Sequence, residues 1–116
     1  MTEAWLRETQ DIQGIFAQND EMTLGAIAAL KEAGLKPGLE VKIVSGDATT
    51  RSKIFQAMLA GEVNASVEYN PLLAPQVYEA ALKALNGKPL PKWIPANERV
   101  FHADDPNLRD LIPTPY

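Results

Sequence analysis

Three short apolar runs alternate along the chain with segments whose apolar residues recur at helical spacing. The runs occupy residues 12–17, 41–44 and 65–67, and each is bounded by polar or turn-forming residues. Short apolar runs separated by helical patterns are typical of parallel strands buried on both faces of a sheet. Residues 3–10 resemble the end of a preceding helix. The pattern therefore predicts an α/β fold, a parallel sheet with flanking helices and right-handed crossovers.

Capping signals bound the predicted helices. Asn19 or Asp20 can cap a helix that Gly34 ends, and a second helical stripe, around Ile54 to Leu59, closes at Gly61. A third helix is expected after Asn70, with Pro71 at its first helical position and Gly87 beyond its end.

The last part of the chain differs in character. No glycine occurs after Gly87, whereas six of the nine prolines do. Because proline interrupts both helices and central strands, this tail is expected to be extended. At most, residues 98–101 form a short strand.

Composition and charge exclude several classes of protein. The chain has 116 residues, a net charge of −4 and no cysteine, so disulfides and thiolate metal sites are excluded. Basic residues do not cluster, which argues against nucleic-acid binding. The longest apolar runs are far shorter than the ~20 residues that cross a bilayer, so no membrane insertion is expected. The N-terminus shows no export signal.

Polar residues follow each of the three apolar runs. Asn19 follows the first, Asp47 the second, and Tyr69 with Asn70 the third. In an open α/β sheet, ligands bind beside the carboxyl ends of the strands, so these side chains are expected to line one rim. Carboxylates and amides suit adjacent sugar hydroxyls, and a tyrosine can cover the C–H face of a ring. The competing interpretation is that Asn19, Asp47 and Asn70 only cap the helices that follow.

Catalytic and cofactor sites lack comparable signals. The nucleotide-binding glycine motifs and the serine nucleophile elbow are missing from the sequence. His102, with Asp104 and Asp105, is interpreted as part of a solvated loop rather than a metal site. We therefore expect no enzyme activity, no cofactor and no metal.

The run from Ile15 to Ala26 makes the sequence recognisable. It resembles a segment of ribose-type (class I) periplasmic sugar-binding proteins of ABC transporters, and residues 41–47 look like the later strand of that family that ends in a ligand-binding Asp. Residues 56–69 resemble the family's helix, glycine turn and hinge strand. Residues 70–76 and the final Pro-Thr-Pro-Tyr are similar to the galactofuranose-binding branch.

The resemblance implies roles for particular residues. Asn19 occupies the position of an asparagine that contacts a sugar hydroxyl, and Asp47 that of an aspartate that accepts hydrogen bonds from ring hydroxyls. The polar residue at the end of the last strand corresponds to Tyr69, with Asn70 beside it. Ribose binders carry Gln where this chain has Tyr69.

The same resemblance implies a division of the chain into three parts. Residues 1–69 would belong to the C-terminal sugar-binding lobe, 70–90 to a hinge crossing and a helix of the other lobe, and 91–116 to a returning Pro-rich segment. Family members have two lobes, so only a C-terminal portion is represented. The implied partners are a small-molecule sugar and, for the full-length protein, a transporter permease in the periplasm.

The missing lobe would leave apolar helix surface exposed, at about 1.5–3 kcal/mol of lost burial per side chain. Self-association, or a companion chain that supplies the rest, is therefore expected. The sugar-effector domain of a LacI-type transcription regulator remains an alternative because it shares the fold and the sugar site. A small α/β enzyme is a third, for which the sequence offers no nucleophile or metal set.

Overall fold

A computed structural model describes residues 1–9, 11–49 and 53–112. The helices are α1 (Thr2–Glu8), α2 (Asp20–Glu32), α3 (Ile54–Leu59) and α4 (Ala74–Leu85), and the strands are β1 (Gly14–Ala17), β2 (Lys42–Asp47), β3 (Ala65–Glu68) and β4 (Val100–His102). A 3₁₀ helix (Leu108–Leu111) follows β4. The predicted alternation of helices and strands is confirmed, with β1 starting two residues later and β2 ending three residues later than predicted.

The four strands form one sheet in the order β1-β2-β3-β4. Strands β1, β2 and β3 are parallel, with Ala17 opposite Ser45 and Asp47 opposite Glu68. Strand β4 runs antiparallel to β3, with Phe101 opposite Ser66. The α/β class is confirmed, and the sheet is mixed at its β4 edge rather than wholly parallel.

Only one face of the sheet is fully covered. Ile43, Ser45 and Ser66 are inaccessible to solvent on the face over which α2 lies, whereas Phe16, on the opposite face of β1, is 62% exposed. The prediction that all three strands are buried on both faces is therefore wrong. The apolar runs are continuous because both faces carry apolar residues, but no described helix packs over the second face.

The ends of the helices follow from local chemistry. Asn19 caps α2, and Gly34 takes a φ of 79°, which glycine tolerates without a Cβ clash. The expectation that Pro71 opens α4 is wrong, because this helix begins at Ala74 and Pro75 lies in its first turn. A first-turn N–H has no intrahelical partner, so proline at that position removes no helical hydrogen bond.

The Pro-rich tail contributes to the core. Strand β4 ends one residue beyond the predicted 98–101 segment, and the tail then forms a 3₁₀ helix, so it is only partly extended. Phe101 meets Phe55 edge to face with ring centroids 5.2 Å apart, and Leu108 is fully buried. Residues 113–116, the end of the predicted returning segment, lie outside the described residues.

Helix α4 projects from the rest of the chain. None of its residues is buried, and Leu85 is 84% exposed. The radius of gyration is 18.0 Å, whereas a compact domain of this length has about 13 Å. In the described ranges, none of the helices is both long and apolar enough to traverse a bilayer.

Candidate functional site

The carboxyl ends of β1, β2 and β3 meet at one edge of the sheet. Their register aligns the last residues of β1 with the middle of β2, and Asp47 with Glu68. The backbone N–H of Tyr69 donates to the carbonyl oxygen of Asp47 (3.2 Å), so the chain leaves β3 directly beside the end of β2. Here we call this edge, with Asn19, Asp47, Tyr69 and Asn70, the rim.

Asn19 acts as a helix cap. Its Oδ1 accepts a hydrogen bond from the backbone N–H of Met22 (2.8 Å), and its backbone is extended at the start of α2. The cap uses the side-chain oxygen and leaves the amide Nδ2 without a partner among the described residues. Asn19 can therefore offer a ligand two N–H donors while it caps the helix.

Asp47 does not cap a helix. Helix α3 begins at Ile54 after Lys53, which makes no side-chain capping bond, and the Asp47 carboxylate has no hydrogen-bond partner within the described ranges. Its φ is 94° and that of Ala48 is 51°, two consecutive non-glycine residues in the left-handed region. Such strain is uncommon and concentrates at functional sites. The carboxylate is half-buried at the rim and available as an acceptor.

Tyr69 crosses from β3 over the end of β2. A Cβ placed on Gly46 would lie 2.7 Å from Tyr69 Oη and 2.8 Å from the carbonyl oxygen of Gln18. The phenol therefore rests against bare backbone and reaches toward the end of β1. Tyr69 remains 45% exposed, so part of it is accessible to solvent at the rim.

Asn70 has mainly a local role. Its Oδ1 accepts from the backbone N–H of Leu72 (2.9 Å), and its Nδ2 donates to the carbonyl oxygen of Asn97 (3.4 Å). It does not cap α4, whose N-cap is Leu73. Asn70 lies on the rim, but its side chain already bonds to Leu72 and Asn97. It thereby connects the segment that leaves β3 to the segment that returns before β4.

An ion pair joins those two segments one residue before Tyr69. Arg99 binds both carboxylate oxygens of Glu68 (3.1 and 2.9 Å), and its guanidinium lies 4.8 Å from the centre of the Phe101 ring. The hydrogen bond from Arg99 holds the pKa of Glu68 below its ordinary value. This carboxylate is therefore charged and paired, whereas the Asp47 carboxylate has no partner among the described residues.

Sequence reasoning missed the part played by Asp20. The sequence indicates only an alternative cap at this position, but the side chain is 1% exposed and accepts from the backbone N–H groups of Ala48 (3.2 Å) and Thr49 (2.9 Å). These partners lie beyond Asp47 in the sequence, so no local pattern could have revealed them.

In the ranges 1–9, 11–49 and 53–112, no group of three or more His, Asp or Glu side chains is placed to hold a metal ion. His102 is exposed on β4. The antiparallel direction of β4 carries the following residues, including Asp104, toward the edge opposite the rim.

Comparison with known proteins places the chain in a family. A family profile described as a periplasmic binding protein domain matches residues 1–89. The galactofuranose-binding protein YtfQ of Escherichia coli is 36% identical over 97 residues, and the fructose import binding protein FruE of Bifidobacterium longum is 41% identical over 91 residues. These alignments cover 84% and 78% of the chain, but only 30% and 27% of the two relatives.

Solved structures agree with these sequences. The periplasmic binding protein component of the arabinose ABC transporter from Shewanella, bound to L-arabinofuranose, matches 94% of the chain with 38% identity and a TM-score of 0.71, over 36% of its own length. The chain thus spans about a third of the length of the proteins it matches. On the profile, the sequences and the fold together, the chain belongs to the periplasmic binding protein domain family.

Proposed function

We propose that the chain forms one wall of a sugar-binding site, as part of the solute-binding component of an ABC-type sugar transporter. The observation that carries the proposal is the rim itself, where the backbone of Asp47 is bonded to that of Tyr69 at the end of the sheet that also bears Asn19. Among the described residues, the Asp47 carboxylate has no partner. The names of the two relatives support it, since those proteins bind galactofuranose and fructose.

Each rim side chain supplies a group that a sugar needs. Asp47 accepts hydrogen bonds from two neighbouring hydroxyls, and the amide Nδ2 of Asn19 donates to a hydroxyl or ring oxygen. The Tyr69 ring offers an apolar face to ring C–H groups, with its hydroxyl held against the backbone at Gly46. Asn70 is the weakest of the four proposed contacts because both of its polar atoms already have partners.

The three-part division of the chain belongs to the same proposal. Residues 1–69 would form part of the C-terminal lobe, 70–90 a hinge crossing with a helix of the other lobe, and 91–116 the returning segment. The closeness of Asn70 to Asn97 and of Glu68 to Arg99 supports this division, because the chain leaves and re-enters at the same place. Helix α4, with no buried residue, lies within the excursion.

The exposed surfaces support a partner that completes the fold. Besides α4, a cleft of about 570 Å³ lies along the free edge of β1, lined by Trp5, Phe16 and Met22 among others. We infer that a second copy, or a companion chain with the missing lobe, covers these surfaces. In the two-lobed protein, the remaining partners would be a transporter permease and the sugar, in the periplasm and without any catalysed reaction. The transporter component named among the matched structures favours this interpretation over a LacI-type regulator.

An NMR titration tests the proposal. The 116-residue chain is titrated with D-ribose, D-fructose, D-galactose and L-arabinose, and binding is expected to be weak because one wall of the site is missing. Amide shifts should concentrate at Gln18–Asp20, Gly46–Ala48 and Glu68–Asn70. Asp47→Asn should move the titration to about tenfold to a hundredfold higher sugar concentration, whereas Asp104→Asn, at the end of the sheet opposite the rim, should not. Shifts elsewhere, or none with any of the four sugars, would overturn the proposal.

A further inference from the structure

The Asp20 carboxylate spans the ends of two strands. It sits at the start of α2, just after β1, and reaches the turn that follows β2. Its Oδ1 accepts from the hydroxyl of Ser45 and the backbone N–H of Ala48, both at 3.2 Å, and its Oδ2 accepts from the backbone N–H of Thr49 at 2.9 Å. A carboxylate that is 1% exposed is expensive to bury without such bonds.

These bonds hold a strained turn. Asp47 and Ala48 both have positive φ, at 94° and 51°, a conformation that costs free energy in residues with a Cβ. The two N–H groups that Asp20 binds belong to Ala48 and Thr49, which directly follow Asp47. The buried charge therefore compensates for the strain at the place where Asp47 leaves the sheet.

The same network reaches the other side of the rim. The hydroxyl of Thr23 lies 2.7 Å from Ser45 Oγ and 3.0 Å from the carbonyl oxygen of Asn19. Asn19 and the turn after β2 are thus connected through buried polar groups, although they lie on different strand ends.

We propose that Asp20 is a positioning residue for sugar binding. It fixes the Asp47–Ala48 turn so that the Asp47 carboxylate, which has no partner among the described residues, is presented at the rim. The inference rests on the proposed function but concerns a residue that is too buried to touch a sugar. Its failure can be separated from failure of the proposed function, because the turn can be observed without any ligand.

Amide hydrogen exchange provides the ligand-free test. In Asp20→Asn, one carboxylate oxygen becomes an NH₂ group that cannot accept from a backbone N–H. The amide of Ala48 or Thr49 should then exchange about tenfold faster, as expected for loss of a hydrogen bond to a charged group. Rates are taken relative to the Leu30 and Ile43 amides, which report global unfolding.

Two further variants keep the comparison interpretable. Glu21→Gln removes an exposed charge from the same first helical turn and should leave the relative rates at Ala48 and Thr49 unchanged. Ser45→Ala removes a buried hydroxyl beside Asp20 but keeps the carboxylate, so it lowers overall stability without selective exposure of these two amides. If Asp20→Asn behaves like either of these variants, the inference is wrong.

Affinity for a sugar gives the second arm. With whichever of D-ribose, D-fructose, D-galactose or L-arabinose binds most tightly, Asp20→Asn should weaken affinity about tenfold. In an Asp47→Asn background, the same change should have almost no further effect, since there is no carboxylate left to position. If the loss of affinity in the double variant equals the product of the losses in the two single variants, the inference is wrong. If the unmodified chain binds none of the four sugars, the proposed function fails, and the exchange rates alone decide whether Asp20 holds the turn.

Discussion

The phenol ring of Tyr69 lies directly against the backbone of Gly46, in the space that a Cβ at this position would occupy. The contact joins the end of β3 to the middle of the rim and brings the tyrosine hydroxyl toward the end of β1. A residue at the margin of the sheet thereby reaches the centre of the candidate sugar site.

Gly46→Ala should displace Tyr69 and weaken the fold. The new methyl group would lie 2.8 Å from the carbonyl oxygen of Gln18, which belongs to the backbone and cannot easily move away. Overpacking of this kind typically costs about 1–3 kcal/mol, which denaturant unfolding would measure. Gly25→Ala is the matched control, because a methyl group at that position would meet no atom within 4 Å and alanine favours the interior of α2. Equal stability of the two variants would contradict this account of the tyrosine contact.

Asp47→Asn should separate binding from stability. The Asp47 side chain makes no hydrogen bond within the described ranges, and asparagine adopts positive φ at least as readily as aspartate. The free energy of unfolding should therefore change little. In the two-lobed protein, affinity for the bound sugar should fall about tenfold to a hundredfold, since hydrogen bonds to charged groups contribute roughly 1.5–3 kcal/mol each.

Calorimetric titration, with thermal unfolding of the same samples, checks this prediction. Asp104→Asn serves as the control for removal of one exposed carboxylate. A variant that unfolds at lower temperature but binds sugar normally would assign Asp47 a structural role instead.

The Glu68–Arg99 pair should make stability depend on pH at the acidic end. The hydrogen bond from Arg99 lowers the pKa of Glu68 in the folded state. The stabilisation by this pair is therefore fully present above the pKa of Glu68 in the unfolded chain, about 4.3. It is lost as the pH falls through the lowered, folded-state pKa. The stability difference between the unmodified chain and Glu68→Gln should therefore be constant near pH 7 and shrink below about pH 4.

Denaturant unfolding between about pH 3 and pH 7 measures that difference. Glu79→Gln is the control, since Glu79 pairs with Lys83 on α4, where no residue is buried, and should hardly affect unfolding of the sheet. A difference for Glu68→Gln that grows toward acidic pH would have the wrong sign and contradict the assignment.

Strand alternation predicted that Asn19, Asp47 and Tyr69 lie at one edge, because the carboxyl ends of parallel strands lie together. Asn19 and Tyr69 follow β1 and β3, and Asp47 is the last residue of β2. The pattern could not distinguish a cap from a free side chain. Asn19 does cap its helix, whereas Asp47 does not, and the difference depends on where α3 begins.

Long-range partners account for most of what the sequence could not predict. Asp20 binds backbone groups beyond Asp47, and Leu108 completes the core from a Pro-rich segment without apolar periodicity. Such contacts depend on the folded arrangement rather than on spacing. The continuous apolar runs led to the wrong prediction that both faces of the sheet are buried. Both faces do carry apolar residues, but no described helix covers the second face.

Helix α4 should drive association of the isolated chain. Tyr78, Leu82 and Leu85 follow one another at helical spacing, and all are exposed. Each such side chain gains about 1.5–3 kcal/mol when fully buried, so contact between copies is expected at micromolar concentration. Light scattering should show a mass that increases with concentration.

The double change Leu82→Ser with Leu85→Ser should shift the average mass toward that of the monomer. It should not lower the stability of the sheet, since neither residue is buried. Leu39→Ser, which removes another exposed leucine before β2, should leave the association unchanged. A monodisperse monomer for the unmodified chain would show that the α4 surface is tolerated in water.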